Sequence, residues 1–90
     1  MNARAAEALY EAERKGVPQV RHVLSDGAGG YCAGGILLRA AGVGVASWHI
    51  EAAMELYGIS RVEWNELVRL NNREGRSFSE IARKLGPDSV

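Results

Sequence analysis

One cysteine and two histidines are the residues of this sequence best suited to nucleophilic chemistry. Cys32 stands where a helix is expected to begin, and a helix N-terminus favours the thiolate form of cysteine. His22 and His49 are the candidate bases on either side of it. A nucleophile also needs an orienting group and an oxyanion site, and the spacing identifies neither. The residues therefore favour a structural Cys32, with catalysis by Cys32, His22 or His49 as a weak alternative.

No metal site or cofactor is expected. The spacing of the one cysteine and two histidines matches no compact zinc pattern. The glycine-rich segment 27–35 resembles a phosphate loop only in composition. A G-x-G-x-x-G motif from Gly27 would need glycine in place of Cys32, and a Walker loop over 29–34 would need lysine in place of Gly35.

Gly34 and Gly35 instead indicate close packing inside a helix. Glycine in a helix interior costs roughly 1 kcal/mol relative to alanine, so a neighbour that needs the space is expected. The expected neighbour is another helix or the aromatic ring of Trp48 or Trp64.

Arg69, Arg73 and Arg76 follow i, i+4, i+7 spacing. The first two would share a helix face, which makes the three residues weak candidates for contacts with nucleic-acid phosphates. Glu66 and Glu74 lie among them in the sequence, and Glu66–Arg69 is an ordinary i,i+3 ion pair. A solvated helix face is therefore the favoured interpretation.

Apolar residues recur at helical spacing in five short segments. The predicted helices cover about 3–15, 32–41, 48–57, 61–72 and 78–85. Two S-x-x-E capping boxes, Ser60…Glu63 and Ser77…Glu80, open the last two of them. Phe78 leads the apolar stripe of the fifth helix, which we expect to complete the core.

A small β-hairpin is predicted between the first and second helices. Residues 19–24 are too short for a helix and carry strand-forming residues, and Asp26-Gly27 is a strong turn signal. The return strand would lie near residues 29–31. The predicted fold class is therefore α+β and mostly α, in a single compact domain over residues 1–90.

Asn71 is the one amide on the apolar stripe of the fourth predicted helix, beside Leu67 and Val68. A buried amide must be hydrogen-bonded. We expect Asn71 to cap the end of that helix or to tie down the loop over 73–76.

The overall charge excludes an obvious electrostatic partner. The chain has 11 Lys and Arg against 11 Asp and Glu, whereas proteins that bind nucleic acids or membrane surfaces usually carry a basic excess. A single cysteine is typical of a reducing cytoplasm. No apolar run approaches the ~18 residues of a membrane span. We therefore expect a cytoplasmic protein that has no membrane partner and does not depend on nucleic acid.

The third predicted helix and the connector before it carry more apolar residues than one helix face buries in a small domain. Val45, Trp48, Leu56 and Tyr57 are therefore the predicted partner-binding residues. Aromatic residues and methionine are enriched at interfaces. The favoured function is a non-catalytic interaction or regulatory protein that binds a partner protein or itself.

Two alternative functions stay open: a DNA-binding regulator and a cysteine-dependent enzyme that uses Cys32. The first depends on residues 76–86, which resemble the first helix and turn of a helix-turn-helix protein through S-x-x-E-I-A-x-x-L-G. Only four residues follow Gly86, so the sequence has no residues for the recognition helix. The element is therefore helix-turn-helix-like and incomplete.

The order of motifs resembles a family of small uncharacterised proteins found in actinobacteria and their phages. The matching motifs are a C-A-x-G helix start at 32–35, an L-N-[DN] sequence at 70–72 and G-x-[ST]-x-x-E-[IV]-A at 75–82. Asn72 stands where these relatives usually have Asp, so no carboxylate site is carried over. The resemblance implies the order of elements and a phage or bacterial context, and it brings no established activity.

Overall fold

Short helices account for the regular structure of the chain. The computed structural model describes residues 1–87. Within that range it contains five α-helices and one turn of 3-10 helix. In chain order these are α1 (Ala3–Arg14), α2 (Ala33–Ala41), the 3-10 turn (Ser47–His49), α3 (Ile50–Tyr57), α4 (Arg61–Asn72) and α5 (Phe78–Leu85).

Side-chain caps define where the last two helices begin. Ser60 and Ser77 each accept a hydrogen bond from the backbone N–H of the glutamate three residues later, and Glu63 and Glu80 accept one from the serine N–H. Both predicted capping boxes are confirmed, and α4 and α5 cover the predicted residues. The predicted third helix differs at its start, because the turn Ser47–His49 is 3-10 and α3 follows it.

The predicted β-hairpin, and with it the α+β fold class, is wrong. The described part of the chain is all-helical and contains no β-strand and no sheet. The segment between α1 and α2 is an irregular loop with two isolated bridges, Gln19 to Tyr31 and Ser25 to Tyr31. The physical reason lies in the competing partners of residues 19–22. The side-chain amides of Asn71 and Asn72, at the end of α4, exchange hydrogen bonds with this segment, and His22 adopts a φ of 68°, which interrupts an extended strand.

The predicted turn within that loop is present. Asp26 Oδ1 accepts hydrogen bonds from the backbone N–H of Ala28 at 2.8 Å and of Gly30 at 2.9 Å. These two bonds lower the pKa of the Asp26 carboxyl group, because they favour its charged form. The turn reverses the chain so that Tyr31 returns to the first residues of the loop, where its N–H donates to the carbonyl oxygen of Pro18 at 2.9 Å.

The core lies where α1, α2, α4 and α5 meet. α1 packs along α5, and α2 contacts α1, α3 and α4. Phe78 is 1% exposed, which confirms that the fifth helix completes the core. The other large side chains with almost no exposure are Leu9, Leu37, Leu38, Leu67, Leu70 and Ile81.

Two glycines let α2 approach its neighbours. A Cβ atom at Gly34 would lie 2.9 Å from the ring of Trp64, and one at Gly35 would overlap the backbone carbonyl oxygen of Leu24. The predicted close packing is confirmed, and the aromatic neighbour is Trp64, not Trp48. The first turn of α2 is therefore pressed against both α4 and the irregular loop.

The burial of Phe78 predicts a large loss of stability on truncation. Phe78→Ala should lower the free energy of unfolding by about 3–5 kcal/mol, because it removes a buried ring and leaves a cavity. Urea denaturation followed by circular dichroism measures the loss. Val62→Ala, at an exposed apolar position, is the control and should change stability by less than about 0.5 kcal/mol. Similar midpoints for the two variants would contradict the assignment of α5 to the core.

Candidate functional site

The side chain of Asn71 is the main connection between α4, the irregular loop and α2. Asn71 is 1% exposed. Its Oδ1 accepts hydrogen bonds from Gln19 Nε2 at 2.8 Å and from the Ala33 N–H at 3.0 Å. Its Nδ2 donates to the carbonyl oxygen of Val20 and to Asn72 Oδ1, both at 2.9 Å. The amide thus uses both acceptor positions and both donor hydrogens.

The partners of Asn71 differ from those predicted. We expected it to cap α4 or to hold the loop over 73–76. It holds that loop only through Gln19, whose Nε2 also donates to the carbonyl oxygen of Arg76 at 2.7 Å. Its direct bonds fix residues 19–20 and the first N–H of α2 instead.

Asn72 fixes the backbone of His22. Its Oδ1 accepts from the His22 N–H at 2.9 Å as well as from Asn71 Nδ2. His22 has a φ of 68°, and it is the one non-glycine residue with a positive φ in the described range. Left-handed backbone at a non-glycine residue is unfavourable, so it persists only where surrounding contacts impose it. Here the Asn72 amide supplies one of those contacts.

A groove runs between this loop and α4, and we call it the α4 groove. Its wider part is a cavity of about 420 Å³, and its narrower part is a cavity of about 180 Å³. Both parts have His22, Val68 and Asn72 in their walls. The wider part is otherwise lined by Asn65, Arg69 and Arg73, and the narrower part by Val23, Leu24, Cys32, Gly34, Ile50 and Trp64.

Cys32 lies in the groove wall beside His22, but its thiol serves as a helix cap. Cys32 Sγ accepts a hydrogen bond from the Gly35 N–H at 3.3 Å and so begins α2. The side chain is buried, and burial raises the pKa of the Cys32 thiol despite the backbone N–H bonds that favour the thiolate. In the described part of the chain, no hydrogen bond joins this sulfur to a histidine. A neutral, buried thiol is a poor nucleophile.

The structure separates the third candidate for catalysis from the other two. His49 ends the 3-10 turn, and its ring lies 5.9 Å from the ring of Trp48, between centroids. It is absent from the walls of the α4 groove. Cys32 and His22 are therefore brought to one cavity, and His49 is not.

The three candidate arginines do not form one cationic stripe. Arg69 and Arg73 line the wider part of the groove, whereas Arg76 lies in a separate cavity with Glu80. Arg69 forms ion pairs with Glu66, at 2.6 Å, and with Glu74. Arg76 pairs with Glu74 and Glu80, each at 3.2 Å.

Arg73 differs from Arg69 and Arg76 in its ion pairing. No carboxylate between residues 1 and 87 lies within ion-pair distance of its guanidinium group. It is exposed and lines the groove next to Asn72. Among residues 1–87, Arg73 is therefore the arginine of the three that has no carboxylate partner.

The predicted partner-binding residues have contrasting exposure. The side chain of Trp48 is 80% exposed, and Leu56 is also exposed. Val45 is partly buried against the core, and Tyr57 is 3% exposed. Burial raises the pKa of the Tyr57 hydroxyl group. Trp48 and Leu56 are thus accessible to a partner, whereas Tyr57 belongs to the interior.

Two surface features were not predicted from the sequence: the exposed valines Val23 and Val62, and the α4 groove. Val62 is 79% exposed and Val23 is also exposed. Val62 lies off the apolar stripe that contains Trp64, Leu67 and Asn71, so helical periodicity could have placed it at the surface. The α4 groove had no such signal, because it forms between a loop and a helix that are distant in sequence.

Comparisons with protein-family models, curated proteins and solved structures find no match for this chain. Over residues 1–87, no helix has the length and apolar character to cross a membrane. The same residues contain no group of three His, Cys, Asp or Glu side chains positioned to hold a metal ion.

The hydrogen bonds of Asn71 predict a strong effect of its removal. Asn71→Ala should lower the free energy of unfolding by at least about 2 kcal/mol, because Gln19, Val20 and Ala33 lose a buried partner. Asn65→Ala, on the exposed face of the same helix, is the matched control. Thermal and urea unfolding measure both variants. Equal stability of the two would show that the Asn71 amide does not hold the loop.

The environment of Cys32 predicts a slow thiol. Iodoacetamide should modify Cys32 of the folded protein at least about tenfold more slowly than the same chain in urea, because the sulfur is buried and its pKa is raised. Mass spectrometry at neutral pH measures both rates. Because the pKa of the Cys32 thiol is raised, the folded protein keeps this thiol protonated up to a higher pH than the unfolded chain does. The free energy of unfolding should therefore fall as pH rises from the ordinary pKa of a thiol towards the raised one. Folded-state labelling as fast as that in urea would contradict this description.

Proposed function

We propose that this chain is a small non-catalytic interaction protein that binds a partner protein or a second copy of itself, with Trp48 as the central contact. The observation that carries the proposal is the exposure of Trp48. A tryptophan that presents most of its surface to water gains a large area of burial on association. Tryptophan is also among the residues most enriched at interface hot spots.

The position of Trp48 suits a contact residue. It lies in the 3-10 turn that precedes α3, where the His49 ring is its one aromatic neighbour between residues 1 and 87. Leu56 adds a second exposed apolar side chain at the other end of α3. Neither side chain belongs to the buried core, so both are available without any change in the fold.

The described geometry supports this proposal over the two alternatives. An enzyme that uses Cys32 would need an accessible thiolate, whereas the thiol is buried and caps α2. A phosphate-binding stripe would need free cations, whereas Arg69 and Arg76 are paired with glutamates. The zero net charge of the chain adds no attraction for nucleic acid.

The cellular context is part of the proposal. The resemblance of residues 30–41 and 60–85 to small proteins of actinobacteria and their phages supports a bacterial or phage origin. The single cysteine supports a reducing compartment, and we propose the cytoplasm.

Substitution of Trp48 tests the proposed function. Trp48→Ala should weaken self-association, or capture of a partner from bacterial lysate, by about 30-fold or more, which corresponds to a hot-spot loss of 2 kcal/mol. Sedimentation velocity measures self-association, and quantitative mass spectrometry measures capture. The unfolding midpoint should stay unchanged, because the side chain lies outside the core.

Val62→Ala is the matched control, since Val62 is as exposed as Trp48 but lies on α4. Its association should equal that of the unsubstituted protein. The proposal fails if the protein is monomeric at millimolar concentration and captures nothing that Trp48→Ala loses. Equal losses in both variants would also contradict it, because they would indicate nonspecific apolar adhesion.

A further inference from the structure

We propose that the α4 groove binds a small ligand that has an apolar ring and one carboxylate group. The inference is independent of the Trp48 surface, because Trp48 is not in the groove walls. It follows from the opposite character of the two ends of the groove and from the backbone of the residue between them.

The narrower end suits an apolar ring. Its walls include Leu24, Ile50, Trp64 and Val68, and none of its wall residues is an aspartate, glutamate, lysine or arginine. Its volume of about 180 Å³ exceeds that of an engineered apolar cavity, about 150 Å³, that takes up benzene. A six-membered ring is close to this size, and Trp64, which is 4% exposed, is the aromatic residue in the wall.

The wider end suits a single negative charge. Its walls contain two guanidinium groups, two side-chain amides and an imidazole, and no carboxylate. The charge of Arg69 is already balanced by Glu66 and Glu74, so Arg73 is the guanidinium group available to a ligand. Guanidinium and carboxylate groups form paired, charge-assisted hydrogen bonds. One uncompensated cation favours a monocarboxylate over a phosphate group that carries two charges.

Asn72 adds a donor at the junction of the two ends. Its Oδ1 accepts two hydrogen bonds, from the His22 N–H and from Asn71 Nδ2, which fixes the orientation of the amide. In the described part of the chain its own Nδ2 donates to no protein acceptor. The Asn72 Nδ2 group is therefore oriented by the protein and free to donate to a ligand oxygen.

The conformation of His22 is the second observation that points to this groove. Glycine adopts a positive φ without cost, yet this chain has histidine at the position that Asn72 holds at 68°. Unfavourable backbone of this kind concentrates at binding and catalytic sites. His22 lines both ends of the groove, so the unfavourable backbone presents an imidazole ring where the ring and the carboxylate of the ligand would join.

Titration with 3-phenylpropionate tests the proposal. Two-dimensional ¹H–¹⁵N NMR resolves the indole N–H signals of the two tryptophans, which serve as internal reporters. The Trp64 signal and the backbone signals of His22 and Asn72 should shift and saturate, whereas the Trp48 signal should not move. The neutral amide 3-phenylpropanamide and the ring-free acid propionate should each bind at least about tenfold more weakly.

Three variants separate the groove from general effects of charge and stability. Arg73→Gln should weaken binding of 3-phenylpropionate about tenfold, and Arg14→Gln, which removes the same charge from α1, should not change it. His22→Gly should weaken binding at least about threefold while the melting temperature stays equal or rises, because glycine relieves the backbone cost. A purely structural role of His22 would leave affinity unchanged.

Several results would overturn the proposal. Equal affinity for the acid and its amide would remove the carboxylate from it, and saturation of the same signals by inorganic phosphate at similar concentration would replace the carboxylate by a phosphate. Shifts confined to Trp48, unchanged affinity of Arg73→Gln or unchanged affinity of His22→Gly would exclude the groove as described. The association defect of Trp48→Ala is measured without this ligand, so failure of one proposal leaves the other testable.

Discussion

The buried amide of Asn71 connects parts of the chain that are far apart in sequence. It must make its hydrogen bonds, because an unsatisfied amide in the core costs as much as several favourable contacts contribute. Its partners outside α4 lie 38 to 52 residues away, on the loop after α1 and at the start of α2. In the arrangement that satisfies Asn71, the backbone N–H of His22 lies 2.9 Å from Asn72 Oδ1.

The α4 groove also depends on the close approach of α2 to its neighbours. Gly34 and Gly35 carry no side chain where Trp64 and the Leu24 carbonyl group lie. Because α2 comes this close, Cys32 at its start is buried, and the Cys32 sulfur accepts a hydrogen bond from the Gly35 N–H within the same helix. The position of Cys32 at a helix start suggests a reactive thiol in the sequence, but in the structure the thiol caps α2. The same packing forms the narrower end of the α4 groove.

Most cations near the end of α4 are paired with glutamates, and Arg73 is the exception beside the groove. Exposed apolar surface is concentrated in single side chains, with Trp48 the largest. The net charge of zero supplies no long-range attraction to a charged partner.

Features that depend on neighbours along the chain could be predicted from the sequence. Capping boxes and helical periodicity were enough to place α4 and α5 and the burial of Phe78, because these signals act within four residues. The hairpin prediction failed because local strand propensity competes with hydrogen bonds between the loop and the side chains of Asn71 and Asn72, which no local signal reveals. The positive φ of His22, the raised pKa of the Cys32 thiol and the α4 groove were decided by tertiary structure alone. Each depends on which distant groups meet in space and how far they exclude water, and a linear pattern of residue types does not contain that information.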